Sequence, residues 1–510
     1  MLLKNRSISV SSSLKGLTLY IMAGCMLLTS CSKNWTSQKD SLLGQIGGTD
    51  FWKTATGAEA GRAVNAMYGN LRTWNNTAFA AICIESIGSD DAVKGSVAND
   101  AAFINQYDNF TVDPAEGQLD GFWTGQYQNI NFSNQILDHV PNVNMDGALK
   151  ARYLAEAKFI RAYSYFRLVR AFGNIPLVLH VPDSLTAQNP PQVTADKVWA
   201  AIEQDLTDAA AVLPVSYGPS DIGRATKGAA LSLHAKVAMY LKKWPDVLNY
   251  TNQVLALGVY DLFPDYYQEF RYANENSIES VFEIQCDYIP GNTDINSSQY
   301  SQVQGNRDVT PKSAGWGFNV PTQSLVDSFE TGDPRLTGTV MLAGTTTPSG
   351  DAVPMPAAGA PDKYNMKSYV PFAIATLSDN QGCGQNVRVI RFADVLLMNA
   401  EALNETGSSA AALIPLERVR ARARAKSTNP ATNLPAVTTT DQAALRGAIY
   451  HERRVELAME NDRYFDVIRQ GRAAAVFGPL GWKAGKNEVW PIPQAEIDNS
   501  GGVLKQNTGY

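Results

Sequence analysis

The chain has 510 residues, of which 45% are hydrophobic and 18% are charged, a balance that supports a large core and excludes a largely disordered chain. With 43 Lys+Arg against 49 Asp+Glu the net charge is −6, which argues against nucleic acid as the main partner, because phosphate binding needs a basic surface. No apolar run reaches the roughly 20 residues that a transmembrane helix needs. Five scattered cysteines are too few for a disulfide framework or a zinc site.

The first 30 residues have the pattern of a lipoprotein signal peptide. Three basic residues precede the apolar stretch Leu17–Leu28, which is too short to cross a membrane. It ends in Leu28-Thr29-Ser30-Cys31, which looks like a bacterial lipobox, where the cysteine thiol becomes thioether-linked to a diacylglycerol. We therefore expect residues 1–30 to be removed and acyl chains, such as palmitate, on Cys31 to anchor the mature protein. The alternative is a soluble secreted protein cut near Ser30.

Removal of this segment changes the charge and the cysteine count of the chain. Three basic residues and no acidic residue are lost, so the mature charge is 40 − 49 = −9. The polar stretch 31–50 contains two consecutive glycines and predicts a flexible tether. Cys83, Cys286 and Cys383 then remain as ordinary cysteines, and we expect buried thiols rather than a disulfide.

Most of the remaining chain has the periodicity of amphipathic helices. Gly173 and Gly258 are expected to end two of them. Two consecutive helices resemble a tetratricopeptide unit, in which small residues such as Ala235 and Ala238 let antiparallel helices touch. The predicted helices are Ala58–Arg72, Trp123–His139, a helix through 159–169, Val198–Leu213, Lys227–Lys243, Pro245–Leu257, Ile390–Glu405, Leu413–Ala425 and Leu445–Arg469.

One segment, 286–386, has a different composition. Gly and Pro make up 20 of its 101 residues, against 64 of 510 in the whole chain. Such a content forbids long helices and favours loops with short strands. We therefore predict a single helical domain over 51–510 that carries a loop-rich lobe at 286–386, and we expect the lobe to hold the ligand, since rigid scaffolds present function on loops.

The sequence contains no nucleophile elbow, Walker loop or dinucleotide fingerprint, and we expect neither a cofactor nor a metal. Its four histidines have no metal-ligand spacing, and His234 is expected to be a hydrogen-bonded structural residue. Glu456 and Glu460 would share one helix face, whereas glycosidase carboxylates flank the sugar at about 5–9 Å. Basic and acidic residues of opposite sign surround these two residues, so a structural ion-pair network is predicted, with contributions from Arg453, Arg463, Asp466 and Arg469.

Several motifs occur in a fixed order along the mature chain. They are Glu156–Val178, Trp316-Gly317, Gly332-Asp333-Pro334-Arg335, Ile390–Ala402, Glu452–Asp466 and Pro491–Asn507. Together, behind a lipobox, they resemble the SusD/RagB-like outer-membrane nutrient-uptake lipoproteins of Bacteroidetes over nearly the whole mature chain. The resemblance implies a mostly α fold, with tetratricopeptide-like helix pairs in a right-handed superhelix and a loop-rich lobe carrying short strands.

The resemblance also implies a function without chemistry. Such a protein would capture an oligosaccharide at the cell surface and deliver it to a SusC-like TonB-dependent β-barrel transporter of the outer membrane. Ser32-Lys33-Asn34 follows Cys31 where surface-exported relatives often have acidic residues, so surface exposure rests on the family resemblance. Two alternatives are a peptide or another nutrient on the same scaffold, and a secreted glycoside hydrolase that uses Glu456 or Glu460.

The residues that would contact a ligand have to be proposed from chemistry, because the motifs above are expected to determine the fold. Sugars present apolar C–H faces that stack on aromatic rings, while polar side chains bind the hydroxyl groups. Aromatic residues in or beside predicted loops are therefore the candidates. They are Trp74, Phe103, Tyr107, Tyr288, Tyr300 and Trp316.

Overall fold

The structure is a computed structural model that describes residues 49–182, 190–287, 297–307, 315–375 and 384–510. The predicted signal peptide, Cys31, nearly all of the predicted tether, Tyr288 and Cys383 lie outside the described residues. Cys83 is a buried free thiol, as predicted, and Cys286 is buried as well.

The described chain is mostly helical, which confirms the predicted fold class. In chain order the helices are α1 (Thr49–Lys53), α2 (Gly57–Asn70), α3 (Trp74–Thr77), α4 (Phe79–Ile82), α5 (Asn105–Asp108), α6 (Gly117–His139), α7 (Gly147–Phe172), α8 (Ala195–Val212), α9 (Lys227–Tyr240), α10 (Trp244–Ala256), α11 (Tyr266–Glu269), α12 (Tyr300–Gln304), α13 (Gln323–Ser328), α14 (Arg335–Thr339), α15 (Phe372–Ala375), α16 (Phe392–Glu405), α17 (Ser409–Arg424), α18 (Gln442–Leu457), α19 (Arg463–Arg469), α20 (Ala473–Phe477) and α21 (Gln494–Asn499). The strands are β1 (Ala92–Gly95), β2 (Ile175–Pro176), β3 (Gln192–Val193), β4 (Ser280–Ile284), β5 (Phe318–Pro321), β6 (Val340–Leu342), β7 (Lys363–Asn365) and β8 (Val387–Arg391). They form antiparallel pairs β1–β5, β2–β3, β4–β8 and β6–β7.

The long helices stack against one another in sequence. Helix α6 packs on α7, α7 on α8, α8 on α9 and α9 on α10, and α10 then packs on α16 across the intervening lobe. The tetratricopeptide-like pair is α9 with α10, and Ala235 and Ala238 on α9 are fully buried. Small side chains at these positions let neighbouring backbones approach closely, as predicted. Gly173 and Gly258 follow the ends of α7 and α10 with φ of +71° and +67°, which confirms both predicted ends.

The predicted helix Leu445–Arg469 is wrong, because the chain breaks between α18 and α19. Met459 and Asn461 adopt left-handed backbone conformations, with φ of +63° and +69°. Two side chains that are remote in sequence stabilise this break. The main-chain oxygen of Glu456 accepts hydrogen bonds from Lys367 Nζ at 2.9 Å and from the Tyr266 hydroxyl at 2.9 Å instead of continuing the helix. The predicted helix Ile390–Glu405 likewise starts later, because its first two residues end β8.

A hydrophobic core extends through the helical stack from Trp52 to Leu504. A smaller apolar cluster packs within and beside the predicted lobe, around β5, β6 and β7, and consists of Tyr267, Val320, Met341, Val353, Tyr364, Met366 and Tyr369. The lobe therefore carries short strands, as its composition predicted. Among the helices that the structure describes, none is both long and apolar enough to cross a membrane.

Candidate functional site

Two half-buried tryptophans, distant in sequence, meet where the helical stack joins the loop-rich lobe. The ring centroids of Trp74 and Trp316 lie 5.9 Å apart with an interplanar angle of 52°. Trp74 also stacks on Phe79 at 5.5 Å, and Phe79 meets Phe318 edge to face at 4.8 Å. The buried Phe79 therefore supports Trp74, and the two half-buried tryptophan rings offer faces on which a sugar or another flat apolar group can stack.

Trp74 is held in place because α3 packs very closely on α6. Gly121 and Gly125, four residues apart on α6, leave room for Asn75, and a Cβ atom on Gly125 would lie 2.9 Å from the Asn75 Cβ. The next residue, Asn76, is buried and its Oδ1 accepts hydrogen bonds from Gln126 at 2.8 Å and Asn129 at 2.9 Å. The short helix that starts at Trp74 is therefore fixed by polar contacts to α6.

Trp316 is held by its two glycine neighbours. A Cβ atom on Gly315 would lie 2.2 Å from the backbone of Gly305, so only glycine fits there, and Gly317 has φ of +71°. The Trp316 amide donates to the Gln302 oxygen at 2.8 Å, and the Gly317 amide donates to the Gly305 oxygen at 3.0 Å. The backbone on both sides of the ring is thus fixed by main-chain contacts.

Helix α12 connects the two tryptophans and begins at Tyr300. The Thr77 hydroxyl on α3 hydrogen-bonds to the Ser298 hydroxyl at 2.9 Å, and Ser298 accepts from the Tyr300 amide at 3.1 Å. The other end of α12 makes the contacts to Trp316 and Gly317 described above. The Tyr300 side chain is half-buried, and burial raises its pKa to about 12, so its hydroxyl is neutral and can donate a hydrogen bond.

A polar cluster lies directly beside Trp316. Arg307 donates from Nη1 to the Trp316 oxygen at 3.1 Å, to the Ser96 hydroxyl at 2.5 Å and to Asp100 at 2.5 Å. Burial opposes ionisation of Asp100, but the hydrogen bonds from Ser96 and Arg307 outweigh it and lower its pKa. Arg307 and Asp100 remain partly exposed, so they offer a donor and an acceptor to hydroxyl groups of a bound molecule.

The remaining predicted ligand residues lie in different surroundings. Phe103 is 45% exposed on the loop that follows β1, and it makes no ring contact within the residues that the structure describes. Tyr107 is fully buried, hydrogen-bonds to Glu116 and packs against Trp490 at 5.5 Å, so its side chain is inaccessible to a ligand. Tyr288 lies outside the described residues. The structure therefore brings Trp74 and Trp316 into contact, places Tyr300 at the start of the helix between them, and buries Tyr107 elsewhere.

Sequence reasoning missed the two supporting phenylalanines and the Arg307–Asp100 pair. Phe318 stands two residues after Trp316, a strand spacing that could have indicated a shared environment. No such pattern links Arg307 to Asp100, because their contact forms only when the lobe packs on the loop after β1.

The predicted ion-pair network is present, but its partners come from other elements rather than from one helix. Glu456 is fully buried and receives Arg335 at 3.1 Å, Arg391 at 3.0 Å and Arg422 at 2.5 Å. Glu460 receives Arg391 at 2.7 Å and Lys367 at 2.6 Å. The i,i+3 pair along a single helix is Arg469 with Asp466 at 2.7 Å, as the spacing predicted.

These surroundings keep Glu456 ionised and inaccessible. Burial opposes its ionisation, but Arg422, Arg391 and Arg335 outweigh burial and lower its pKa to about 2. A general acid needs a raised pKa and access to substrate, and Glu456 has neither. The two carboxylates therefore serve as internal charges that hold α14, β8, α17 and α18 together.

His234 is a buried structural residue, but not in the way that its helix position suggested. Its Nδ1 has no hydrogen-bond partner in the described part of the chain, and its ring instead stacks on Tyr250 at 3.9 Å. Burial lowers the pKa of His234 to about 4, so the imidazole is neutral at physiological pH.

Two family models match the chain in separate segments. The model described as "SusD family" matches residues 278–510, and the model described as "Starch-binding associating with outer membrane" matches residues 57–241. The first match contains Trp316 and the ion-pair network, and the second contains Trp74. Both halves of the aromatic pair thus fall within segments that this family shares.

Relatives with known sequence or structure match over most of the chain. A SusD-like protein P2 from Formosa agariphila is 26% identical over 95% of this chain and 98% of its own length. A solved structure named "Laminarin binding SusD-like protein" has a TM-score of 0.77 and 31% identity, covering 89% of this chain and 99% of its own. A surface glycan-binding protein A from Bacteroides thetaiotaomicron, solved with laminarihexaose, has the same fold, with a TM-score of 0.75 at 22% identity over 89% of this chain and all of its own. On this family match and these relatives, the chain belongs to the SusD family.

Proposed function

We propose that this protein is a non-catalytic glycan-binding lipoprotein that takes up an oligosaccharide at the Trp74–Trp316 pair. The observation that carries the proposal is the half-buried aromatic pair beside the partly exposed Arg307 and Asp100. Aromatic faces stack on sugar rings and the polar pair binds hydroxyl groups, so one site supplies both contacts that a neutral glycan needs.

The relatives support the same ligand class. The 31%-identical structure is named as laminarin-binding, and a neighbour of the same fold was solved with laminarihexaose. A β-glucan oligosaccharide is therefore the first ligand to test. The hydrolase alternative has less support, since Glu456 is buried among three arginines and Glu460 is paired with Arg391 and Lys367.

The cellular placement forms part of the proposal. Acyl chains on Cys31 would anchor the mature protein in the outer membrane, and a SusC-like TonB-dependent barrel would receive the glycan. The lipobox and the family model described as associating with the outer membrane support this placement. A Cys31→Ser variant should leave the membrane fraction and lose labelling by radioactive palmitate, and the tagged wild-type protein should co-purify with a TonB-dependent barrel from outer membranes.

Glycan binding is tested by titration calorimetry with laminarihexaose, maltohexaose, cellohexaose and xylohexaose. We expect at least one to bind, and Trp74→Ala and Trp316→Ala each to weaken its affinity about tenfold, which corresponds to about 1.4 kcal/mol of lost stacking. Trp244→Ala is the matched control, because Trp244 is also half-buried but starts α10 and makes no contact with the pair in the described residues.

Three results would contradict the proposal. They are a lack of binding by every glycan in a panel extended to polysaccharides, equal affinity of the Trp74, Trp316 and Trp244 variants, and release of shorter products on incubation, detected by chromatography. The last result would favour the hydrolase alternative.

A further inference from the structure

A second pocket lies on another face of α6, away from the aromatic pair. Its volume is about 340 Å³, within the range of roughly 300–1,000 Å³ that small-molecule sites occupy. One wall is α6 from Trp123 to Asn131, and the other walls are β2, α21 and the residues that follow it. The lining residues do not include Trp74, Tyr300 or Trp316, so this pocket is separate from the site proposed above.

The pocket has an aromatic wall whose position is fixed. The ring centroids of Trp123 and Tyr127 lie 5.0 Å apart at an interplanar angle of 42°. The Tyr127 hydroxyl donates to the Pro176 oxygen at 2.8 Å, and Trp123 packs edge to face on Phe172 at 5.2 Å. Tyr127 therefore presents a half-buried ring to the pocket while its hydroxyl is occupied elsewhere.

Three polar side chains line the same wall and make no hydrogen bond to other described residues. Thr124, Gln128 and Asn131 are spaced at i, i+4 and i+7 on α6, so they share one helix face. Within the described residues, none of the three side chains makes a hydrogen bond. Amide and hydroxyl groups that are exposed, aligned and unoccupied can form hydrogen bonds with the hydroxyl groups of a sugar.

The charge of the pocket selects among sugars. Glu496 is the charged residue among the described lining residues, and none of them is a lysine, arginine or histidine. With no cation among the described lining residues, the Glu496 carboxylate repels uronic acids and sulfated sugars but accepts hydrogen bonds from neutral hydroxyl groups.

We infer that this pocket is a second binding site, specific for a neutral saccharide of one or two rings. Tyr127 would stack on the sugar ring, Gln128 and Asn131 would hydrogen-bond its hydroxyl groups, and Glu496 would accept from one of them. The inference does not depend on the aromatic pair, because the two sites share no lining residue.

The experiment uses the full mature chain and a Trp74→Ala, Trp316→Ala double variant in which the first site is disabled. Glucose, laminaribiose, maltose, cellobiose and glucuronic acid are titrated, with binding followed by ligand-observed NMR. We expect the double variant to bind at least one neutral sugar, and the further change Gln128→Ala with Asn131→Ala to weaken that binding fivefold or more. Glucuronic acid should bind at least fivefold more weakly than glucose.

The added substitutions lie on the exposed surface of α6, so circular dichroism melting should show an unchanged fold. Tyr127→Phe, which keeps the ring and loses the bond to Pro176, should retain more affinity than Tyr127→Ala. The inference is overturned if the double variant binds no neutral sugar, if Gln128→Ala with Asn131→Ala leaves its binding unchanged, or if glucuronic acid binds as well as glucose. Failure of the aromatic pair alone would show instead as equal affinity of wild type and double variant for the hexasaccharides.

Discussion

Replacing Glu456 by glutamine removes one charge from the centre of the buried ion-pair network while keeping the size of the side chain. The carboxylate of Glu456 faces three guanidinium groups, those of Arg335, Arg391 and Arg422, within 3.1 Å. Its pKa is about 2 instead of the ordinary 4.5. Since each tenfold change in proton affinity corresponds to about 1.4 kcal/mol, this depression is worth roughly 3 kcal/mol at neutral pH.

We therefore expect Glu456→Gln to lower the free energy of unfolding by about 3–5 kcal/mol at pH 7, the usual cost of leaving buried charges without a partner. The sign of the pH dependence follows from the depressed pKa. The stabilisation is present above the unfolded pKa of about 4.5 and is lost as pH falls toward about 2. Wild type should thus lose more stability than the variant between pH 5 and pH 2.5.

Urea denaturation followed by circular dichroism at pH 7, 5, 4 and 2.5 measures both effects. The control is Glu203→Gln, whose exposed partner is Lys243, and it should cost less than about 1 kcal/mol. A Glu456→Gln protein within 1 kcal/mol of wild type at pH 7, or one with the same dependence on pH as wild type, would refute the role given to this network.

Three further predictions concern a glycine, a carboxyl group and a histidine. Gly315→Ala should weaken glycan binding about tenfold or more in calorimetry, because its Cβ would lie 2.2 Å from Gly305, whereas Gly147→Ala, with nothing near its Cβ, should leave affinity unchanged. Burial raises the pKa of Glu275 to about 8, so this carboxyl group stabilises the fold below about pH 4.5 and loses that contribution as pH rises through 8. Urea titrations should therefore show that Glu275→Gln gains stability relative to wild type between pH 5 and 8.5. Burial lowers the pKa of His234 to about 4, so its stabilising contribution is present above about pH 6.5 and is lost as pH falls toward 4. His234→Phe, which preserves a ring against Tyr250, should therefore show a smaller fall in melting temperature from pH 7 to 4.5 than wild type. An equal fall would contradict this assignment.

Helix identity was predictable where local signals and tertiary packing agree. The ends of α7 and α10 follow from Gly173 and Gly258, because the left-handed cap is a local property of the backbone. The break after Leu457 was not predictable from local signals. Its residues Ala458–Glu460 favour a helix, and the contacts that interrupt it come from Lys367 and Tyr266, remote in sequence.

The candidate site was predictable in residue type and only partly in arrangement. Their position in expected loops drew attention to Trp74 and Trp316, but the contact between the two rings depends on how α3, α12 and the lobe pack. Tyr107 is also aromatic and was also expected near a loop, and yet it lies against Trp490 in the core. Composition cannot separate these cases, because burial is decided by residues far along the chain.

Because of the backbone contact between Gly305 and Gly315, the entropy cost of ordering Trp316 arises when the protein folds and not when a ligand binds. Main-chain hydrogen bonds hold both sides of this ring before any ligand arrives, so the cost falls on folding rather than on capture. A preorganised ring of this kind loses less conformational entropy when a ligand stacks on it, which favours binding. It also leaves the ring free to change in evolution, since another aromatic or aliphatic side chain on the same rigid backbone would alter glycan preference without rebuilding the loop.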